Sequence, residues 1–253
     1  MNKLIKEGKF NYIEIGNGKP IIILHGLMGG LSNFAGVSDY FPKIGYKVII
    51  PQLPIYELAL DETNVETFSE YLHEFILFKK ISKAFLLGNS LGGHIGLFYT
   101  KSYPEFVNGL VITGSSGLYE NSMGDTYPKR GDYEYIKKKS EEVFYDPKIA
   151  TKELVDEVFE SVNDRNKLIR TLAIAKSAIR HNMSKDLPSM KTPVGIIWGV
   201  NDTVTPANVG EEFHKLLPNS DLYWIDKCGH APMMEHPNKF NDILKNWLRK
   251  INI

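Results

Sequence analysis

The chain has 253 residues, 43% hydrophobic and 24% charged, an ordinary globular balance that excludes intrinsic disorder. Its 30 basic and 30 acidic residues cancel, and no basic block stands out, which argues against nucleic acid or an anionic membrane surface as a partner. Cys228 is the single cysteine, so an internal disulfide is excluded. Met1 to Gly8 shows no apolar h-region, and no apolar run reaches the roughly 18 residues of a spanning helix. The expectation is a cytoplasmic protein with no membrane span.

Phe10 to Ile15 mixes apolar and polar residues and ends at Gly16-Asn17-Gly18, which reads as a hairpin-like turn. After Pro20, Ile21-Ile22-Ile23-Leu24 forms a short, wholly apolar run ahead of His25-Gly26. Such a run fits a strand buried on both faces. Equivalent runs are Lys47–Ile50, Ala84–Leu87, Leu110–Thr113, Val194–Trp198 and Leu222–Ile225. Helical patterns separate them: Val65–Phe78, Leu91–Tyr103 before Pro104, Val209–Leu217 before Pro218, and Phe240–Ile251. Strands alternating with helices predict an α/β fold with a mainly parallel, doubly wound sheet covered on both faces.

One stretch departs from that alternation. Between Ser115 and about Met190 no strong strand is found. This segment carries Tyr119, Tyr127, Tyr133, Tyr135 and Tyr145, the run Lys137-Lys138-Lys139, and helical patterns near Glu153–Val162 and Leu168–Ile179. Open α/β sheets place their sites at the carboxyl edge, and such a site needs shielding from water. We therefore expect residues 1–114 and 191–253 to form the core and 115–190 a helical cap over it.

Gly88-Asn89-Ser90-Leu91-Gly92 fits Gly-x-Ser-x-Gly between a predicted strand and a predicted helix. A turn this sharp strains the serine and needs glycines where side chains would collide with backbone. It lifts the Ser90 hydroxyl out at the sheet edge with a helix amino end behind it, the setting of a nucleophile. Acyl transfer also needs two donors for the developing negative charge. Leu91 N–H can be one, and Leu27 N–H, in His25-Gly26-Leu27-Met28-Gly29-Gly30, the second, with Met28 N–H as the alternative. His25 itself is read as structural. No Gly-Lys-Ser/Thr follows, so a nucleotide site is not expected.

A serine needs a base, and His230, just after the sixth apolar run in Gly229-His230-Ala231-Pro232, is the candidate among seven histidines. His94 lies one helical turn after Ser90, where it should enter helix packing. His73, His181 and His214 sit in helical patterns, and His236 is close to the last helix. Asp202, right after the fifth run, would hold the imidazole tautomer. Asp226 is only four residues from His230 and would struggle to reach its far ring nitrogen. No His-x-x-x-His or Cys-x-x-Cys pair exists, so no metal and no cofactor are expected. Met28, Met233 and the cap tyrosines point to an apolar pocket for a small-molecule substrate. Oligomeric state is not legible.

His25-Gly26, Gly88-Asn89-Ser90-Leu91-Gly92-Gly93, Trp198-Gly199-Val200-Asn201-Asp202 and Gly229-His230-Ala231-Pro232 together resemble the α/β-hydrolase superfamily over essentially the whole chain. The resemblance implies the α/β-hydrolase fold and the chain order Ser90, Asp202, His230 of its triad. Ser90 stands where the family's dehalogenases and epoxide hydrolases carry aspartate. Gly-Asn-Ser-x-Gly-Gly and Lys-Cys-Gly-His are similar to the hydrolases that cleave carbon–carbon bonds of meta-cleavage products. Those usually carry a tryptophan where Ala231 stands, and a cap arginine, for which Arg165 or Arg170 could serve. The family's Asp-x-Pro-Gly-x-Gly is replaced by Gln52-Leu53-Pro54-Ile55-Tyr56-Glu57. The leading expectation is a carboxylesterase; carbon–carbon hydrolysis and a ligand receptor with little turnover are the alternatives.

Overall fold

The computed structural model describes residues 3–120 and 129–251. Eight strands form one sheet: β1 (Ile5–Glu7), β2 (Phe10–Ile15), β3 (Lys19–Leu24), β4 (Tyr46–Pro51), β5 (Ala84–Asn89), β6 (Val107–Thr113), β7 (Val194–Gly199) and β8 (Ser220–Ile225). Their spatial order is β1-β2-β4-β3-β5-β6-β7-β8. From β4 to β8 every neighbour is parallel, while β1 and β2 run antiparallel at one edge.

The wholly apolar strands follow from coverage on both faces. In β3, Ile22 and Leu24 enter one core and Ile21 and Ile23 the other. In β4, Ile49 faces the first core while Val48 and Ile50 face the second. Among the described residues the helices are α1 (Ala35–Tyr40), α2 (Val65–Phe78), α3 (Leu91–Ser102), α4 (Tyr133–Glu141), α5 (Lys152–Asn163), α6 (Arg165–Arg180), α7 (Ala207–Leu216), α8 (Pro232–Glu235) and α9 (Pro237–Ile251). The first core is closed by α2, α3 and α7 through Phe68, Leu72, Ile95 and Phe213, and the second by α1 and α9 through Val37, Phe240 and Trp247.

Two readings of the sequence change here. The glycine turn after Ile15 is not a hairpin, because β4 lies between β2 and β3. The short β1 and helices α1, α4 and α8 carry too few apolar residues to stand out as periodic segments. In particular, α4 holds the lysine run and buries only Ile136 and Ser140.

Between β6 and β7 the chain builds α4, α5 and α6. Asp164 ends α5 and caps α6, accepting hydrogen bonds from Asn166 and Lys167 N–H. Ile136, Val158 and Val162 form a separate small core there, with Met28 packed against it. Tyr127 lies outside the described residues.

The carboxyl end of α6 is tied to α3. His94, fully buried on α3, is hydrogen-bonded to His181 at 2.9 Å, and His181 Nε2 lies 3.4 Å from the Glu66 carboxylate on α2. Burial pushes His94 down to about 3, and the neighbouring His181 adds to this. The folded state therefore resists a proton that the unfolded chain accepts, so stability is lost as pH falls below the usual histidine value toward about 3. We expect His94→Gln to lose less stability than the wild type between about pH 7 and pH 4. Denaturant midpoints at the two pH values measure this, and equal losses would refute it.

Candidate active site

The sharpest backbone feature lies between β5 and α3. Ser90 has φ 54° and ψ −120°, in a region that L residues avoid. The turn is held by close packing: a Cβ on Gly92 would run into the Leu24 carbonyl of β3, which seats α3 directly against the strand that leads to Gly26. Ser90 N–H donates to Thr113 O at 3.1 Å, fixing the turn to β6.

Ser90, Leu27, Met28 and His230 line one cavity of about 350 Å³. Leu91 is the first residue of α3, so its N–H has no acceptor within the helix by position. His25 is buried behind this loop and accepts a hydrogen bond from Leu53 N–H at Nε2, so its proton is on Nδ1, which donates to Gly26 O. Burial holds the imidazole below its usual value, against the Gly26 hydrogen bond. It is a tether between the loops after β3 and β4.

Asp202, at the carboxyl end of β7, is buried and lies 2.9 Å from His230 Nδ1. Its carboxylate also accepts from Val204 N–H, Thr205 N–H and the Thr205 hydroxyl, a set that fixes its orientation. Asp226 makes no such contact with His230. Burial alone would lower the His230 imidazole; the Asp202 carboxylate, with smaller help from Glu120 and Glu235, overrides it and holds the group above its usual value.

Several residues that secure this geometry escaped the sequence reading. Asn89, the variable position before Ser90, donates to both Thr113 O and His230 O, joining the turn to the histidine loop. Gly114, at φ +50°, makes room for the imidazole: a Cβ there would sit 2.8 Å from His230 Nδ1. The Glu235 carboxylate accepts from Gly229, Tyr145 and Asp146 N–H, and His230 N–H donates to Val143 O. The histidine loop is thereby bonded to the chain just after α4. Thr203 repeats this on the Asp202 loop by donating to Glu142 O.

The cavity wall corrects two further expectations. Met233 is buried in the core shared by α1 and α9, because it lies on the inward face of α8; the neighbouring Met234 lines the cavity instead. None of Tyr119, Tyr133, Tyr135 and Tyr145 lines it, and Tyr133 instead bonds Asp156. Neither Arg165 nor Arg170 reaches it: Arg165 is exposed, and Arg170 donates to Leu58 O. The wall is apolar at Leu154, Val158, Phe144 and Met234 but includes the carboxyl groups of Glu120 and Glu142. Burial pushes Glu120 up to about 6, against the opposing pull of His230. Lys139 lines the cavity too and is paired with Glu142 at 2.6 Å.

Residues 19–139 match the family model for the alpha/beta hydrolase fold. An alpha/beta hydrolase enzyme from the metagenome of lagoon sediments at Mar Chica, Morocco, is 57% identical over the full length of both chains, with a TM-score of 0.83. A 2-hydroxy-6-oxononadienedioate/2-hydroxy-6-oxononatrienedioate hydrolase of Pseudomonas sp is 27% identical, covering 96% of this chain and 93% of that protein. Lipase 1 of Psychrobacter immobilis is 26% identical over 90% of this chain and 76% of its own. The chain belongs to the α/β-hydrolase family and is a hydrolase. No helix among the described residues is long and apolar enough to cross a membrane.

Removing the Glu235 acceptor leaves Gly229, Tyr145 and Asp146 N–H without it. We expect Glu235→Ala to lower unfolding stability by about 1–3 kcal/mol, and Glu235→Gln, which keeps an acceptor oxygen, to lose less. Urea denaturation of the two variants checks this; an unchanged Glu235→Ala midpoint would show that these hydrogen bonds do not contribute to stability.

Proposed function

We propose that this hydrolase cleaves a small to medium, largely apolar and uncharged carboxylic ester by acyl transfer. Ser90 Oγ attacks the carbonyl carbon while His230 Nε2 takes its proton. Leu27 and Leu91 N–H groups receive the oxyanion of the tetrahedral intermediate. Its collapse breaks the carbon–oxygen bond, and His230 returns the proton to the leaving alkoxide. Water, deprotonated by His230, then releases the acid from Ser90. Asp202 keeps the His230 tautomer and stabilises its cation. Residues 115–190 act as a cap whose α4 and α5 side chains exclude water from the cavity.

The observation that carries the uncharged substrate is the sign of the wall. Among the described residues that line the cavity, Lys139 and Glu142 pair with each other, Glu120 adds a further carboxyl group, and none is an arginine. Lys139 balances the Glu142 charge, so the carboxylate that opposes an anionic substrate is Glu120. The dienedioate named for the Pseudomonas relative carries two carboxylates. Carbon–carbon hydrolysis is the second reading, favoured by that whole-length similarity.

On p-nitrophenyl esters of graded acyl length we expect release that Ser90→Ala abolishes and Asp202→Asn lowers about 10⁴-fold. Faster turnover of a meta-cleavage dienedioate than of any ester would replace this reading with the second.

The pH profile of kcat/KM reports His230, which must be neutral to act as base. Because its value is raised, the acid limb should lie above the ordinary histidine range. Glu120→Gln removes one of the charges that raise it, so the limb should move to lower pH. A limb unmoved by that substitution would place Glu120 outside the electrostatics of the base.

A further inference from the structure

Behind the loop that follows β3 lies a second cavity of about 340 Å³, between Gln52–Tyr56 and helix α5. It contains neither Ser90 nor His230, yet Met28 and Gly29 line both it and the first cavity. Gly29 has no side chain, so the movable part of the partition is the Met28 thioether. Helix α5 runs past both spaces: Leu154 and Val158 face the first, and Glu157, Glu160 and Ser161 the second. Met28 packs against the small core of Ile136, Val158 and Val162, and its backbone is held at φ 60°. That conformation is costly for a residue with a Cβ, and it persists because the surrounding packing over-determines it.

Leu31, Leu53 and Ile55 line the second cavity together with the polar Gln52, Glu157, Glu160 and Lys167. Leu53 and Ile55, both largely buried in the first core, belong to the segment Gln52–Glu57, where this chain departs from the glycine-bearing turn that its resemblance implies. The first cavity, about 350 Å³, is at the lower end of the roughly 300–1,000 Å³ of small-molecule sites. In acyl transfer His230 protonates the leaving oxygen. Ala231, Thr203 and Val204, next in sequence to His230 and Asp202, line the first cavity, as do Met28, Leu154 and Val158; an acyl chain directed to the latter leaves the former for the leaving group.

We propose that this second cavity is a subsite for the distal part of a medium-length alkyl acyl chain, and that Met28 sets how much chain passes into it. The proposal rests on the ester reading above. Met28 is a specificity-determining residue, flexible enough to move aside at modest cost, as an unbranched thioether with several rotatable bonds can.

The test is the ratio of kcat/KM for p-nitrophenyl decanoate to that for the butyrate, which does not depend on how much protein folds. Met28→Ala should raise the ratio at least about tenfold, which fewer than two further buried methylenes supply. Met28→Trp should lower it. Adding Ser161→Phe to Met28→Ala fills the second cavity from α5 and should return the ratio to the wild-type value. A ratio unmoved by Met28→Ala, or a gain that survives Ser161→Phe, overturns the proposal while leaving the ester reading intact. A wild type that releases p-nitrophenol from neither ester overturns the ester reading and this proposal with it.

Discussion

At residue 90 the backbone is held at φ 54° and ψ −120°, and the rest of the site is arranged around the packing that holds it there. The α3 helix sits so close to β3 that position 92 has no space for a side chain beside the Leu24 carbonyl. That contact places the proposed nucleophile and the proposed oxyanion loop at a fixed separation, because both hang from the same two neighbouring strands. A strained serine is kept only where many independent bonds agree on its position. Here they include Thr113 O, the Asn89 side chain and the buried strands on either side.

The His230 loop is held differently. It lies at the far edge of the parallel strands and has few contacts with the core beyond Cys228 and Ala231. Its order comes from polar bonds to two other segments: Asn89 from the elbow, and Val143, Tyr145 and Asp146 through backbone and Glu235. The α4 to α6 region is therefore bonded to the His230 and Asp202 loops and also lines the cavity. At its other end, the buried His94–His181 pair fixes α6 to the helix that starts at Ser90.

Charge separates this cavity from what the family resemblance alone implies. The motifs around Ser90 and His230 are similar to those of carbon–carbon hydrolases, and proteins so named match along the whole chain. The wall of the cavity is another matter, because among the described residues its Lys139 is paired with Glu142 and Glu120 adds a negative charge.

Local chemistry determined the fold class and the elements of the machinery. A strand covered on both faces must be apolar at every position, so the parallel strands appear in the sequence as short continuous runs. Glycines at fixed offsets from Ser90 are required by one sharp turn, and Pro104 ends the helix behind it. The stretch between β6 and β7 was legible only as helical, and α4 hardly at all, since it buries one large apolar side chain. Tertiary structure alone decided that β4 separates β2 from β3, that Met234 rather than Met233 faces the cavity, and that Asn89, Gly114 and Glu235 secure the histidine loop. Each of these depends on contacts between residues far apart in the chain, and a short polar residue shows nothing of its distant partner in the residues beside it.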